Sequence, residues 1–160
     1  MRCGPLGQVM PVKGRKRREL LAALLDTGLR GRPDLARTDL LDLLYPTTEE
    51  LQAAAALREL VHTTRTALGS GIIQTTPSVY ALGHVASDAH AFLTGGSTQL
   101  WRGTYLQDAA PERQDDTVAE ALCLALRARI EAALPTDPHE AARSARLLLE
   151  AELTTSRRCA

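Results

Sequence analysis

The chain has 160 residues, 44 % of them apolar but only 3 % aromatic, and its 19 basic side chains balance 19 acidic ones. That length suits one domain or two small ones, with a core built from Leu, Ala, Val and Ile, and the weight of Leu and Ala favours helix. No stretch approaches the ~18 consecutive apolar residues of a membrane span, the opening MRCGPLGQVM has no apolar run of the secretory kind, and three scattered cysteines, Cys3, Cys123 and Cys159, suit free thiols in a cytoplasmic protein rather than a zinc site.

Charge is unevenly spread. Residues 1–80 hold 11 Lys/Arg against 8 Asp/Glu, and residues 81–160 hold 8 against 11. This suits a nucleic-acid-binding first half and a protein-facing second half; a chance fluctuation explains it equally well.

In chain order, a Gly- and Pro-bearing start carries a short strand at Gln8–Val12, ended by Gly14. Lys16 to Thr27 reads as a helix with Leu20, Leu21, Leu24 and Leu25 as its apolar stripe, closed by Gly28. The run Arg15-Lys16-Arg17-Arg18 opposes the positive end of the helix dipole, so it reads either as a phosphate contact or as a solvated basic turn. After a loop at Leu29–Pro33, Asp34 is expected to cap a second helix, Leu35–Leu44, which Tyr45-Pro46 terminates.

The stretch Thr47–Leu82 organises the rest. Thr47 and Glu50 have capping-box spacing. From there Thr48–Leu68 reads as one long helix, with Leu57, Leu60, Val61, Thr64 and Leu68 on its buried stripe and Gly69 and Gly71 at its end. Ile72–Thr76 and Val79–Leu82 are β-rich runs divided by a Pro77-Ser78 turn. A helix leading into such a hairpin is the back half of a winged helix.

Beyond Leu82 comes a linker-like passage, Gly83–Thr98, with one helical turn at Asp88–Leu93 carrying Phe92. The phrase LWRGTYLQD, Leu100–Asp108, holds the single Trp and is expected to nucleate a second core. Thr117–Leu134 is a strong helix with Val118, Ala121, Leu122, Ala125, Leu126 and Ile130 on one face. After the turn at residues 135–138, His139–Leu153 is a second amphipathic helix with Leu147, Leu148 and Leu149 near its end. Together they form an αα-hairpin, and Thr154–Ala160 reads as a frayed tail.

These phrases together resemble the SARP/BTAD-type bacterial transcriptional regulators. RKRRELLAALL at Arg15–Leu25, LLDLLYP at Leu40–Pro46, LRELVHTTRTALG at Leu57–Gly69, SVYAL at Ser78–Leu82 and LWRGTYL at Leu100–Leu106 follow that family's order. Thr63 and Thr66 stand where the family often has basic residues, Thr64 replaces a core Leu, and Val79 replaces a wing Gly. The resemblance implies a mostly α chain with a small β component. It would comprise an OmpR-like winged helix-turn-helix over residues 8–83, a short TPR-like helical activation domain over 84–153, and a flexible tail at 154–160.

The implied activity is sequence-specific binding of double-stranded DNA in transcription regulation, the third helix in the major groove and the wing on the backbone or minor groove. Base readers would be Arg58, His62, Thr63, Arg65 and Thr66, because base edges in the major groove are read by side-chain hydrogen bonds. Phosphates would be met by Lys16, Arg17, Arg37, Thr38, Thr76 and Ser78. The alternative is a winged helix without DNA affinity, acting as an interaction or dimerisation module. Further expected partners are a second copy or a transcription-machinery protein bound through the C-terminal helices.

No enzyme, cofactor or metal is expected. His84, Asp88 and His90 form the nearest cluster to a ligand set and read as loop residues. Asp115-Asp116 reads as a helix cap rather than an acid–base pair, and no phosphate loop or nucleophile elbow appears.

Overall fold

The computed structural model describes residues 2–3, 10–83, 85, 87–101 and 116–156. Helices dominate, beside a three-stranded antiparallel sheet and a two-stranded pairing near the start. The chain divides into two compact units, the second opening at Ser87.

In the first unit, β1 (Arg2–Cys3) pairs antiparallel with β2 (Met10–Pro11). The strand expected at Gln8–Val12 thus appears in part, its residues 8 and 9 lying outside the described set. Helix α1 spans Arg15–Leu29 and runs through Gly28 rather than stopping there. The chain leaves it at Gly31, whose φ of 75° is the left-handed geometry that glycine tolerates.

Asp34 does not cap the second helix. Leu35–Ala36 form β3, paired with Tyr80 and Val79, and only then does α2 (Arg37–Leu44) begin. Strand pairing satisfies these backbone groups across the sheet, which withdraws them from the helix. The Arg37 N–H donates to Ser78 O at 2.8 Å, so the new helix start is tied to the hairpin turn.

Helix α3 covers Glu50–Leu68, beginning two residues later than expected. Its cap residue is Glu49 and makes no side-chain cap bond, so the Thr47–Glu50 capping box is absent. Glu50 is itself the first helical residue, which breaks the cap-to-third-position spacing that motif requires. Gly69, at φ 107°, ends the helix, and a 3₁₀ turn at Ser70–Ile72 leads into β4 (Ile73–Thr75) and β5 (Val79–Leu82). The sheet order is β3-β5-β4, with β5 central.

The core follows from the stripes. Leu20, Leu21, Leu24, Leu40, Leu44, Leu57, Val61, Leu68, Ile73 and Tyr80 are buried in one cluster, which Leu60 only flanks. Ala53 and Ala54 are buried too, extending the α3 stripe toward its start. Thr64, fully buried, is satisfied by donating to Leu60 O at 2.6 Å. Glu19 is also buried; Arg15 Nε reaches it at 2.7 Å and Lys16 Nζ at 3.1 Å.

The second unit holds α4 (Asp88–Leu93), α5 (Asp116–Ala133) and α6 (Pro138–Ser156). Ser87 caps α4 by accepting from the His90 N–H. Asp137 caps α6, its Oδ1 accepting from the His139 and Glu140 N–H groups at 3.1 and 3.0 Å, while Pro138 takes the first helical position. Val118, Leu122 and Leu126 are the buried residues of the expected α5 face.

On α6 the buried side is made of Ala141, Ser144 and Ala151, and of the leucines near its end Leu149 is 59 % exposed. Small side chains let α6 lie against α5, Leu147 and Leu148 are half-buried, and Leu149 and Leu153 are turned outward. The helix continues to Ser156, past the expected tail boundary. Of the LWRGTYLQD phrase the described part ends at Trp101, whose ring meets Phe92 edge to face with centroids 5.4 Å apart.

Candidate nucleic-acid interface

The outer side of α3 is formed by the residues its buried stripe leaves over. Arg58, Glu59, His62 and Thr66 are exposed, and Thr63 and Arg65 are half-buried. The side chains of Arg58 and His62, four residues apart and so neighbours on the helix surface, have no hydrogen-bond partner among the described residues. Thr63 donates to Glu59 O at 2.9 Å and Thr66 to His62 O at 3.0 Å. Hydroxyls folded back in this way keep their acceptor lone pairs for an incoming donor.

Arg65 does something else. Its Nε and Nη2 donate to Ile73 O at 3.1 and 2.8 Å, and Nη2 also donates to Thr75 Oγ1 at 2.9 Å. This forked grip fastens the last turn of α3 to β4, which places the hairpin at a set angle to the helix. Thr75, unremarked in the sequence, is its partner; no periodicity signals a contact across ten residues of chain.

The phosphate candidates separate into two groups. Arg37, Thr38, Thr76 and Ser78 come together where α2 begins, tied by the Arg37–Ser78 backbone bond, and Thr76 Oγ1 accepts from the Val79 N–H at 3.2 Å. Arg37 is half-buried and its guanidinium has no partner among the described residues. Lys16 and Arg17 lie apart from them and serve the fold. Lys16 Nζ donates to Glu19 and, at 2.6 Å, to Leu44 O at the end of α2, and it sits 5.4 Å from the Tyr45 ring centroid. Arg17 donates to Thr63 O and Lys13 O, each at 3.4 Å.

The basic run is thereby explained from within. Arg15 and Lys16 neutralise the buried Glu19, at helix spacings of four and three residues that the sequence already displays. Burial, with the nearby Glu19 charge, raises the Tyr45 phenol above its ordinary value.

A groove of about 580 Å³ on the same unit is lined by Leu24, Gly28, Asp34, Gln74, Thr76 and Val79 among others, with a single carboxylate in it. Among the described residues no group of three His, Cys, Asp or Glu side chains converges on a metal position. His84 and Asp115 lie outside the described residues, and Asp116 is the first residue of α5. No described helix is long and apolar enough to cross a membrane. Comparison with protein-family models, with curated proteins and with solved structures gives no match.

Proposed function

We propose that the first unit is a winged helix-turn-helix that binds double-stranded DNA as a cytoplasmic, non-enzymatic transcription regulator, with α3 in the major groove and the β4–β5 hairpin as wing. The observation that carries this reading is the unpartnered Arg58–His62 pair on the exposed side of α3, beside a hairpin that Arg65 holds in place. An Arg bound in bidentate fashion to guanine discriminates by about 1–3 kcal/mol. Thr63 and Thr66 sit on the same helix with free acceptor capacity, and Arg37, Thr38, Thr76 and Ser78 form a polar margin suited to phosphate. In this reading the helical second unit faces a protein partner.

One observation favours the alternative of a winged helix that works as an interaction module: Lys16, Arg17 and Arg65 are all engaged within the fold, which thins the cationic surface. A gel shift with the DNA upstream of the protein's own coding sequence separates the two. DNA binding requires a specific shift that Arg58→Ala abolishes or weakens at least about tenfold, the equivalent of ~1.4 kcal/mol. No specific shift, or one indifferent to that substitution, rejects it.

A further inference from the structure

Five large apolar side chains are strongly exposed among the described residues, and four of them, Leu124, Leu134, Leu149 and Leu153, lie on the α5–α6 hairpin or at its turn, each 58–61 % exposed. Scattered exposed leucines need no explanation, but a concentration on one element marks a contact surface. A charge pair spans the two helices there: Arg127 Nη2 reaches Glu152 Oε1 at 2.7 Å, both side chains about half exposed. Leu124 is three residues before Arg127 on α5, and Leu149 three residues before Glu152 on α6, so each helix presents one leucine a turn from its charge.

We infer that this hairpin surface is a self-association site and that its occupant is a second copy of the same chain. The reasoning is charge self-complementarity. At the level of this pair the surface carries a cation on α5, Arg127, and an anion on α6, Glu152. A two-fold axis running along the hairpin between its helices lays α5 of one copy over α6 of the other. Each Arg127 then meets Glu152 of the second copy as well as its own. The exposed leucines close over the pairs in a four-helix arrangement, and the contact is isologous, so it ends at two copies. A strongly acidic or basic partner would find one of the two charges opposing it.

This is independent of the DNA reading, because it is tested by solution mass without nucleic acid. The full chain is expected to run at twice its 17.3 kDa in light scattering coupled to size exclusion. Arg127→Glu and Glu152→Arg, each alone, place like charges opposite one another and are expected to be monomeric. Mixed in equal amounts they are expected to recover the dimer, since every intermolecular pair is then of opposite sign. Leu149→Glu, at an exposed position that leaves the core intact, is expected to be monomeric with unchanged helical circular dichroism. If either charge variant fails to fold, the doubly swapped R127E/E152R chain carries the test and is expected to dimerise as the wild type does. A monomeric wild type overturns the inference. So does a Leu149→Glu protein that still dimerises, a folded mixture that stays monomeric, or a folded double swap that stays monomeric.

Discussion

Removing the Arg65 side chain tests how the hairpin is held. In Arg65→Ala three hydrogen bonds disappear, two to Ile73 O and one to Thr75 Oγ1. A bond from a charged donor contributes about 1.5–3 kcal/mol when fully buried. Arg65 is only half-buried and Thr75 is exposed, so water replaces much of what is lost. The expected cost to hairpin opening is therefore about 1–2 kcal/mol, a factor of about 5–30 in the opening equilibrium. Native-state hydrogen exchange reads this directly at two amides, Thr76 N–H bonded to Val79 O and Gly83 N–H bonded to Ile72 O. Both are expected to lose protection by that factor in Arg65→Ala. Arg65→Lys, a single-point donor in place of a planar fork, is expected to restore only part of it. Unchanged protection of both amides in Arg65→Ala would refute the claim that this arginine fastens the hairpin to α3.

Gly96→Ala is expected to destabilise the second unit by about 1–3 kcal/mol, because a Cβ there would sit 2.5 Å from Ala91 O and 2.6 Å from Leu100 Cδ1; a thermal melt followed by Trp101 fluorescence that does not move would contradict that packing. The Cys123 thiol is pushed above its ordinary range by burial first and the Glu152 carboxylate second. In a Cys3→Ser/Cys159→Ser background its alkylation rate is therefore expected to rise with a midpoint above that of a free thiol, and Glu152→Gln is expected to lower the midpoint; an ordinary midpoint contradicts the assignment. Because Lys16 and Arg17 are occupied within the fold, Arg37 is the one cation of the phosphate candidates left to reach a phosphate in the proposed complex, giving a log–log salt slope of about −1 per copy. A measured slope steeper than about −6 would mean that other cations carry the binding.

The order of helices and hairpin was legible because each rests on a local signal: leucines at three- and four-residue steps, glycines at ends, a proline turn. What escaped depends on partners distant in sequence. Leu35 and Ala36 carry an apolar pattern that fits a helix, and only pairing with β5 makes them a strand. The same holds for Arg65, whose spacing matched Arg58 and His62 on one outward side while its real partner lies beyond the helix, on β4. The base-reading candidates and Lys16 and Arg17 are all polar residues off the apolar stripes, and that position alone does not tell a free cation from one bonded to a backbone carbonyl. On α6 the buried Ala141, Ser144 and Ala151 are small, and small size signals burial less clearly in a sequence than hydrophobicity does.

The arginine at position 129 gives α4 a dependence on chain not yet made when α4 emerges. Its guanidinium lies 4.1 Å from the Phe92 ring centroid and donates to the carbonyls of Phe92 and Gly96. Six residues are too few for a helix to persist in water by itself. During synthesis, then, the segment around Phe92 waits for a side chain supplied nearly forty residues downstream. Fragments cut before Arg129 should be handed to solvent as coil over Asp88–Leu93, which sets a minimum length for any excised piece meant to keep that turn of helix.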